Sequence, residues 1–188
     1  MTDYVSPYGN AAYRAASDSD VPLDRQFEGK VAVVTGSTQG LGLTAVKLML
    51  RRGLEGALIM GRKEAEGKAA AEALSTPEQR VVYHRTDLTN LEDCQSVHER
   101  AIQEFGTYDI LINSAGITDR GGILDADAAL WERTFAINSR APFFLMQNAA
   151  HHWRDAGKPG TVVNVATVTA HGGVPFLTVY AASKAALV

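Results

Sequence analysis

The chain has little that would crosslink it, anchor it or draw it to a charged polymer. Its one cysteine, Cys94, permits no internal disulfide, and a lone thiol suits a reducing cytoplasm. The formal charge is only −3, which removes the electrostatic case for nucleic acid or an anionic membrane as partner. No apolar run approaches the roughly 20 residues that a membrane span needs. His151 and His152 lack metal-ligand spacing, so no metal is expected and both should lie on an exposed helix end. Residues 1–26 lack the basic start and apolar centre of a signal peptide. That stretch, with Tyr4, Tyr8 and Tyr13 among Ser, Asp and Ala, reads as a loosely ordered extension. No internal repeat or low-complexity tract is evident. The chain as a whole has the 46% apolar and 21% charged make-up of an ordinary globular protein, and residues 27–188 are long enough to form one domain with a substantial core.

The stretch from Val31 to Gly42, VAVVTGSTQGLG, organises the rest. Val31, Ala32, Val33 and Val34 form the small and β-branched run of a strand buried on both faces. Gly36, Gly40 and Gly42 then space a turn that feeds a helix. Unpaired N–H groups and the helix dipole make such a terminus a phosphate cradle, and glycine lets the backbone close on the anion. Taken alone, the triplet is equally a tight turn; the strand before it and the helix after it favour a dinucleotide's pyrophosphate.

Onward, Leu43, Val46, Lys47, Leu48, Leu50 and Arg51 continue a helix with one apolar face, closing at Gly53. Ala57–Met60 is a second strand, and Lys63–Leu74 a helix ended before Pro77. Val81–His84 is a third strand, closing on Asp87 and Leu88. Thr89 with Glu92 forms a capping box opening a helix to Phe105, with Gly106 beyond it. Ile110–Ile112 is a fourth strand. Ala128–Trp153 is helical in pattern, with a kink or restart expected near Asn138 because Pro142 lacks a donor and biases Ala141 away from helix. Thr161–Ala166 is a fifth strand, and Thr178–Val188 opens a last helix. This alternation predicts an α/β fold, a doubly wound parallel sheet covered by helices on both faces.

In such a fold, ligands sit beyond the carboxyl ends of the strands. Ser37 and Gln39 follow the first strand, Arg62 the second, Asp87 the third, Asn113 the fourth and Thr167 the fifth. An NAD site usually offers a carboxylate after the second strand; here Met60-Gly61-Arg62-Lys63 offers a guanidinium, which suits the 2′-phosphate of NADP(H). As a surface residue, Arg62 would simply be solvated. Tyr180 and Lys184 form an i, i+4 pair on one helix face. An ammonium ~4 Å from a phenolate stabilises it by about 4 kcal/mol at an effective dielectric near 20, before desolvation is subtracted. Such a pair can serve as general acid or base on an alcohol or carbonyl.

With these pieces in place, the chain resembles the short-chain dehydrogenase/reductase family. The matching motifs are Thr35-Gly36 with Gly40 and Gly42, Asp87, Asn113-Ser114-Ala115-Gly116, Asn138, Val163-Asn164-Val165 and Tyr180-Ala181-Ala182-Ser183-Lys184. The resemblance implies a Rossmann fold. It also implies an NADP(H)-dependent oxidoreductase transferring hydride between nicotinamide and a secondary alcohol or carbonyl, its substrate a small alcohol, ketone or sugar-like molecule. Tyr180 would be the acid/base, Lys184 would hold the nicotinamide ribose and ease tyrosine deprotonation, and Asn138 would hold a relay water. Thr167, where the family usually has serine, keeps a hydroxyl for the substrate oxygen, although it could be a plain strand-end residue. The cofactor would be lined by Gly36, Ser37, Gln39, Gly40, Leu41, Gly42, Arg62, Asp87, Leu88, Asn113, Ala115 and Gly116, besides Tyr180 and Lys184. His171, Asp119 and Arg120 border the expected pocket or are ordinary loop residues. Trp131, Phe135, Phe143 and Phe144 are packing residues, some at a subunit interface, since the family commonly forms homodimers or homotetramers. The family also continues with further strands, a helix pair and a substrate-covering segment that do not follow Val188 here. A non-enzymatic or truncated nucleotide-binding relative is therefore the alternative expectation.

Overall fold

The computed structural model describes residues 25–118 and 120–188; residues 1–24 of the expected extension and Asp119 lie outside these described residues. The order of elements is β1 (Val31–Val34), α1 (Gly40–Arg51), β2 (Gly56–Gly61), α2 (Glu64–Leu74), β3 (Arg80–Arg85), α3 (Leu91–Phe105), β4 (Ile110–Asn113), α4 (Ala128–Phe135), a π-helical segment Ala136–Arg140, α5 (Ala141–Asp155), β5 (Thr161–Asn164), a 3₁₀ turn Val168–Ala170 and α6 (Thr178–Ala185). The five strands form one parallel sheet in the order β3-β2-β1-β4-β5. The chain winds outward from β1 through β2 to β3, then crosses back to place β4 on the other side of β1. That reversal opens a crevice past the ends of β1 and β4, the usual seat of a ligand in open α/β sheets.

Alternation along the buried strands splits the core in two. Val31, Val33, Leu58, Met60 and Leu111 pack on one face with Cys94, Val97, Ala101, Leu145, Ala149 and Trp153 from α3 and α5. Ala32, Val34, Ala57, Ile59, Ile110 and Ile112 pack on the other with Val46, Met49, Leu50 and Ala71 from α1 and α2. Both faces are thus covered, which is why the central strands read as continuous apolar runs. β5 is an edge, and Val162 and Val163 on it are exposed.

Several local expectations are revised. The α3 cap is Asn90, whose Oδ1 accepts from Glu92 N at 2.8 Å; Thr89 instead donates to Asp87 Oδ1 from both its N–H and its hydroxyl. The apolar face of α1 is Val46, Met49 and Leu50, with Leu48 exposed. Ala141 is fully helical despite preceding Pro142, because the π segment widens the turn and places the proline in the first turn of α5. β5 stops at Asn164: Val165 N still bonds Asn113 O at 3.0 Å, but the Val165 carbonyl is taken by a lysine ammonium. His151 is exposed as expected, whereas His152 is half-buried, stacked on Tyr108 and bonded to Thr107 Oγ1 at 3.0 Å.

Candidate functional site

The turn after β1 is shaped by backbone contacts. Gly36 has φ +61°, and a Cβ there would lie 2.8 Å from Ala115 Cα. Thr35 Oγ1 accepts from both Ser114 N and Ala115 N at 3.0 Å, tying the loop after β4 to the end of β1. A Cβ on Gly42 would meet Gly36 O at 2.7 Å, so α1 packs directly on the turn. Gly40, at φ +59°, faces open space, and a Cβ on it would meet nothing within 4 Å. A cleft of about 340 Å³ results, lined by the Gly36 and Thr38–Leu41 turn, by Met60–Lys63 and Glu66, by Thr86–Leu88, and by Ser114–Ile117 with Ile137.

Most of the expected cofactor residues meet here: Gly36, Gln39, Gly40, Leu41, Arg62, Asp87, Leu88, Ala115 and Gly116. Five do not line it: Tyr180 and Lys184, which are described below, and Ser37, Gly42 and Asn113. Ser37 is wholly buried; its Oγ donates to Val34 O at 2.5 Å and accepts from Met60 N at 3.0 Å, clamping β1 to β2. Gly42 lies beneath the turn. Asn113 is buried and donates from Nδ2 to Asn164 Oδ1 at 2.8 Å, joining β4 to β5. These residues hold the cleft in shape. Sequence reasoning missed Thr38, Thr86, Ile117 and Ile137, whose only signal was position beside a strand end. The Asp87 carboxyl sits below its ordinary pKa, chiefly because Thr89 donates to it twice, with Arg62 and Arg85 adding attraction.

Behind Gly116 lies a second set of groups. The Asn138 side chain is fully buried and pairs with the backbone of Ile117: Oδ1 accepts from Ile117 N at 3.0 Å and Nδ2 donates to Ile117 O at 2.9 Å. Its other amide proton goes to Ser183 Oγ at 3.0 Å, and Ser139 Oγ donates to Ser183 O at 2.7 Å, fastening the π segment to α6. Lys184 is buried and donates to Val165 O at 2.7 Å; burial holds its ammonium below the ordinary lysine pKa. A Cβ on Gly116 would stand 3.4 Å from both Asn138 Oδ1 and Lys184 Nζ. Gly116 is therefore the thin wall between the first cleft and the lysine.

Tyr180 and Thr167 line a second cavity of about 470 Å³ with Thr118, Arg120, Thr169 and the segment Val174–Leu177. Thr167 Oγ1 accepts from Thr169 N at 3.4 Å and from Thr169 Oγ1 at 3.3 Å, which leaves its own proton available to donate. His171 is exposed and does not line this cavity. Trp131 stacks on Phe135 and Phe143 packs edge-on to Phe144, with Trp131 and Phe143 themselves exposed on α4 and α5. Cys94 is buried, which pushes its thiol up to about 11 and marks it as inert. Among the described residues no cluster of His, Cys, Asp or Glu could hold a metal, and no helix is long and apolar enough to cross a membrane.

Comparison with known proteins bears on the sequence and the fold. The family model described as short chain dehydrogenase matches residues 30–188. An uncharacterized oxidoreductase of Thermotoga maritima is 32% identical over 161 residues, covering 86% of this chain and 62% of that protein. A solved short chain dehydrogenase/reductase family protein superposes with a TM-score of 0.76 at 34% identity, over 86% of this chain and 65% of its own. A metagenomic short-chain oxidoreductase solved in complex with NADP superposes with a TM-score of 0.78 at 25% identity, over 86% and 71%. The chain thus spans a little over three-fifths of the length of the curated relative it matches.

Proposed function

Because the chain belongs to the short-chain dehydrogenase family, we propose that residues 27–188 form the dinucleotide-binding part of an NADP(H)-dependent oxidoreductase acting on a small secondary alcohol, ketone or sugar-like carbonyl compound. The observation that carries this reading is the arrangement around Gly116, which lines the first cleft and has the Lys184 ammonium and the Asn138 amide directly behind it. The cleft fits a dinucleotide in its chemistry. Gly40 leaves open space at the start of α1 for a pyrophosphate, Arg62 and Lys63 line the end of β2, and Asp87 and Leu88 line the end of β3.

In this reading the Gly36–Leu41 turn holds the pyrophosphate, Arg62 pairs with the 2′-phosphate, Asp87 with Leu88 seats the adenine, and Lys184 holds the nicotinamide ribose. When bound, the nicotinamide supplies or accepts the hydride. Tyr180 gives its phenolic proton to the carbonyl oxygen in reduction and takes it from the alcohol in oxidation. Thr167 donates a hydrogen bond to the same oxygen. Lys184, short of hydration, favours a neighbouring negative charge and so eases loss of the tyrosine proton. Both amide protons of Asn138 are already committed, so a relay water would rest on its main-chain carbonyl. The α-helical donor to that carbonyl would be residue 142, a proline without an N–H. The exposed Trp131 and Phe143 support a homodimer or homotetramer through α4 and α5, and the buried inert thiol is compatible with a cytoplasmic setting.

The test is a titration of NADPH and NADH at matched salt, followed by turnover of a panel of ketones and sugars. Arg62→Ala should weaken NADPH about 10- to 100-fold, the loss of one or two charge-assisted hydrogen bonds, and leave NADH unchanged. Thr167→Ser should keep turnover, while Thr167→Val and Tyr180→Phe should lose most of it. Equal NADPH affinity in wild type and Arg62→Ala would remove the cofactor assignment, and NADPH binding with no turnover of any carbonyl would remove the enzymatic one.

A further inference from the structure

The cavity beside Tyr180 is lined by three threonines, the phenol and the apolar segment Val174–Leu177, with Arg120 as the single charged group among its described lining residues. We infer that Arg120 is the specificity-determining residue for the substrate and that it receives a carboxylate, so that the enzyme acts on keto and hydroxy acids in which the carboxylate is separate from the reacting carbon. This rests on the reading of Tyr180 as the acid/base.

Three observations carry it. First, no carboxylate of the described residues pairs with Arg120, and the two acids that follow in its loop are used elsewhere. Asp125 Oδ2 accepts from Gly122 N at 3.0 Å, and Asp127 Oδ1 accepts from Leu130 N at 2.7 Å as the cap of α4. Second, although Arg120 is exposed, the backbone of its loop is tied to the cavity wall. Its neighbour Gly121 bridges to Leu177 in parallel fashion, and Gly121 N donates to Phe176 O at 2.9 Å. Phe176 is the one described non-glycine residue with positive φ, at 65°. A bulky residue adopts that conformation at a cost and only where its surroundings impose it, as they do at ligand clamps. Third, the surroundings are apolar and hydroxylic, so a guanidinium there gains from a planar partner offering two acceptors. One guanidinium balances one negative charge. A carboxylate on an apolar body matches both the single positive charge and the hydroxyl and apolar side chains of the lining.

The test uses the chain with saturating NADPH and two acid–ester pairs, 4-oxopentanoate and 5-oxohexanoate against their methyl esters. Binding is read by equilibrium dialysis and turnover by NADPH oxidation. The acids should bind at least about tenfold tighter than their esters. Arg120→Gln should abolish that preference, raising KM for the acids about tenfold with kcat little changed and leaving the esters unaffected; Arg120→Lys should restore part of it. Unchanged NADPH affinity in Arg120→Gln verifies that the fold is intact. No acid-over-ester preference in wild type, or an equal loss for acid and ester in Arg120→Gln, overturns the inference. NADPH binding with no turnover of acid or ester would instead count against the oxidoreductase reading, while the acid–ester contrast in binding still decides the role of Arg120.

Discussion

Gly36→Ala isolates the backbone contact on which the first cleft depends. The residue sits at φ +61°, and its new methyl would lie 2.8 Å from Ala115 Cα and 3.0 Å from Ala115 N. Holding an L-residue in the left-handed region costs roughly 1–2 kcal/mol. Forcing a methyl into packed backbone costs roughly 1–3 kcal/mol more, because neither loop can rotate away as a side chain would. The sum, about 2–5 kcal/mol, is a large part of the roughly 5–15 kcal/mol that holds a domain folded. Gly40→Ala is the matched comparison. It has nearly the same dihedral, +59°, but nothing within 4 Å, so only the backbone cost of roughly 1–2 kcal/mol applies. Urea denaturation with a slope of roughly 1–3 kcal/mol per molar should lower the Gly36→Ala midpoint well below that of Gly40→Ala. NADPH affinity should fall in both, since the Gly40 methyl stands in open space at the cleft lining. Coincident midpoints for the two variants would refute the proposition that Gly36 is required by the approach of Ala115.

Ser37→Ala should cost about 1–3 kcal/mol of stability, because the buried Met60 N–H is left without its acceptor, yet leave the NADPH dissociation constant of the folded chain unchanged; a selective loss of affinity at full stability would place Ser37 in the binding surface after all. Burial depresses the pKa of His84, His98 and His152 below 6.5, with Arg100, His152 and Lys158 respectively adding repulsion. The unfolded chain therefore binds more protons than the folded one below that value, and stability should hold above pH 6.5 and decline as the pH falls through it. Urea midpoints at pH 7.5 and 5.5 check this, and a midpoint that is level or higher at pH 5.5 contradicts it. Asn138→Leu, nearly isosteric, should destabilise by about 2–5 kcal/mol because Ile117 N and O both lose their partner inside the protein; a thermal midpoint within a degree of wild type would show that the pairing with Ile117 is dispensable.

Much of the architecture is legible in the sequence because it is written in periodicity. The runs around Val33, Ile59 and Leu111 could only be strands covered on two sides, and Gly106 and Gly53 end their helices as glycine does. The candidate site is legible where a backbone terminus or a charge marks it, as at Gly36, Gly40, Arg62 and Asp87. What escapes are roles that depend on which way a small polar side chain turns. Ser37 and Asn113 stand at strand ends, as ligand-facing residues do, but each finds a partner on the adjoining strand segment and turns inward. Thr38 and Ile117, their near neighbours, turn toward the cleft. No local pattern separates the two cases, since the choice is made by the register of β1 against β2 and β4. His152 departs from expectation for a similar reason: its partner Tyr108 is distant in sequence and arrives only through packing of α5 on the start of β4.

At the interruption between α4 and α5, the Asn138 side chain is committed to structure, while the proposed function gives a chemical role to its main-chain carbonyl. Pro142 removes a donor, and the sequence predicts a kink or restart near Asn138. The chain instead inserts a π segment, with Ala141 N reaching back to Ala136 O, and continues without a break. The wider turn presents the Asn138 amide to Ile117 and Ser183, which satisfies the side chain and locks the loop after β4 to α6. Because that side chain is committed to structure, only the carbonyl remains for any chemical role, and the proline has already taken away its ordinary helical partner. A replacement that keeps the Asn138 amide but supplies the missing N–H, Pro142→Ala, thus separates the two functions. It should leave the folded chain as stable or more so, while slowing the proton-dependent step that the proposed function assigns to Tyr180. Unchanged turnover, with an unchanged pH profile, would confine Asn138 to its structural role.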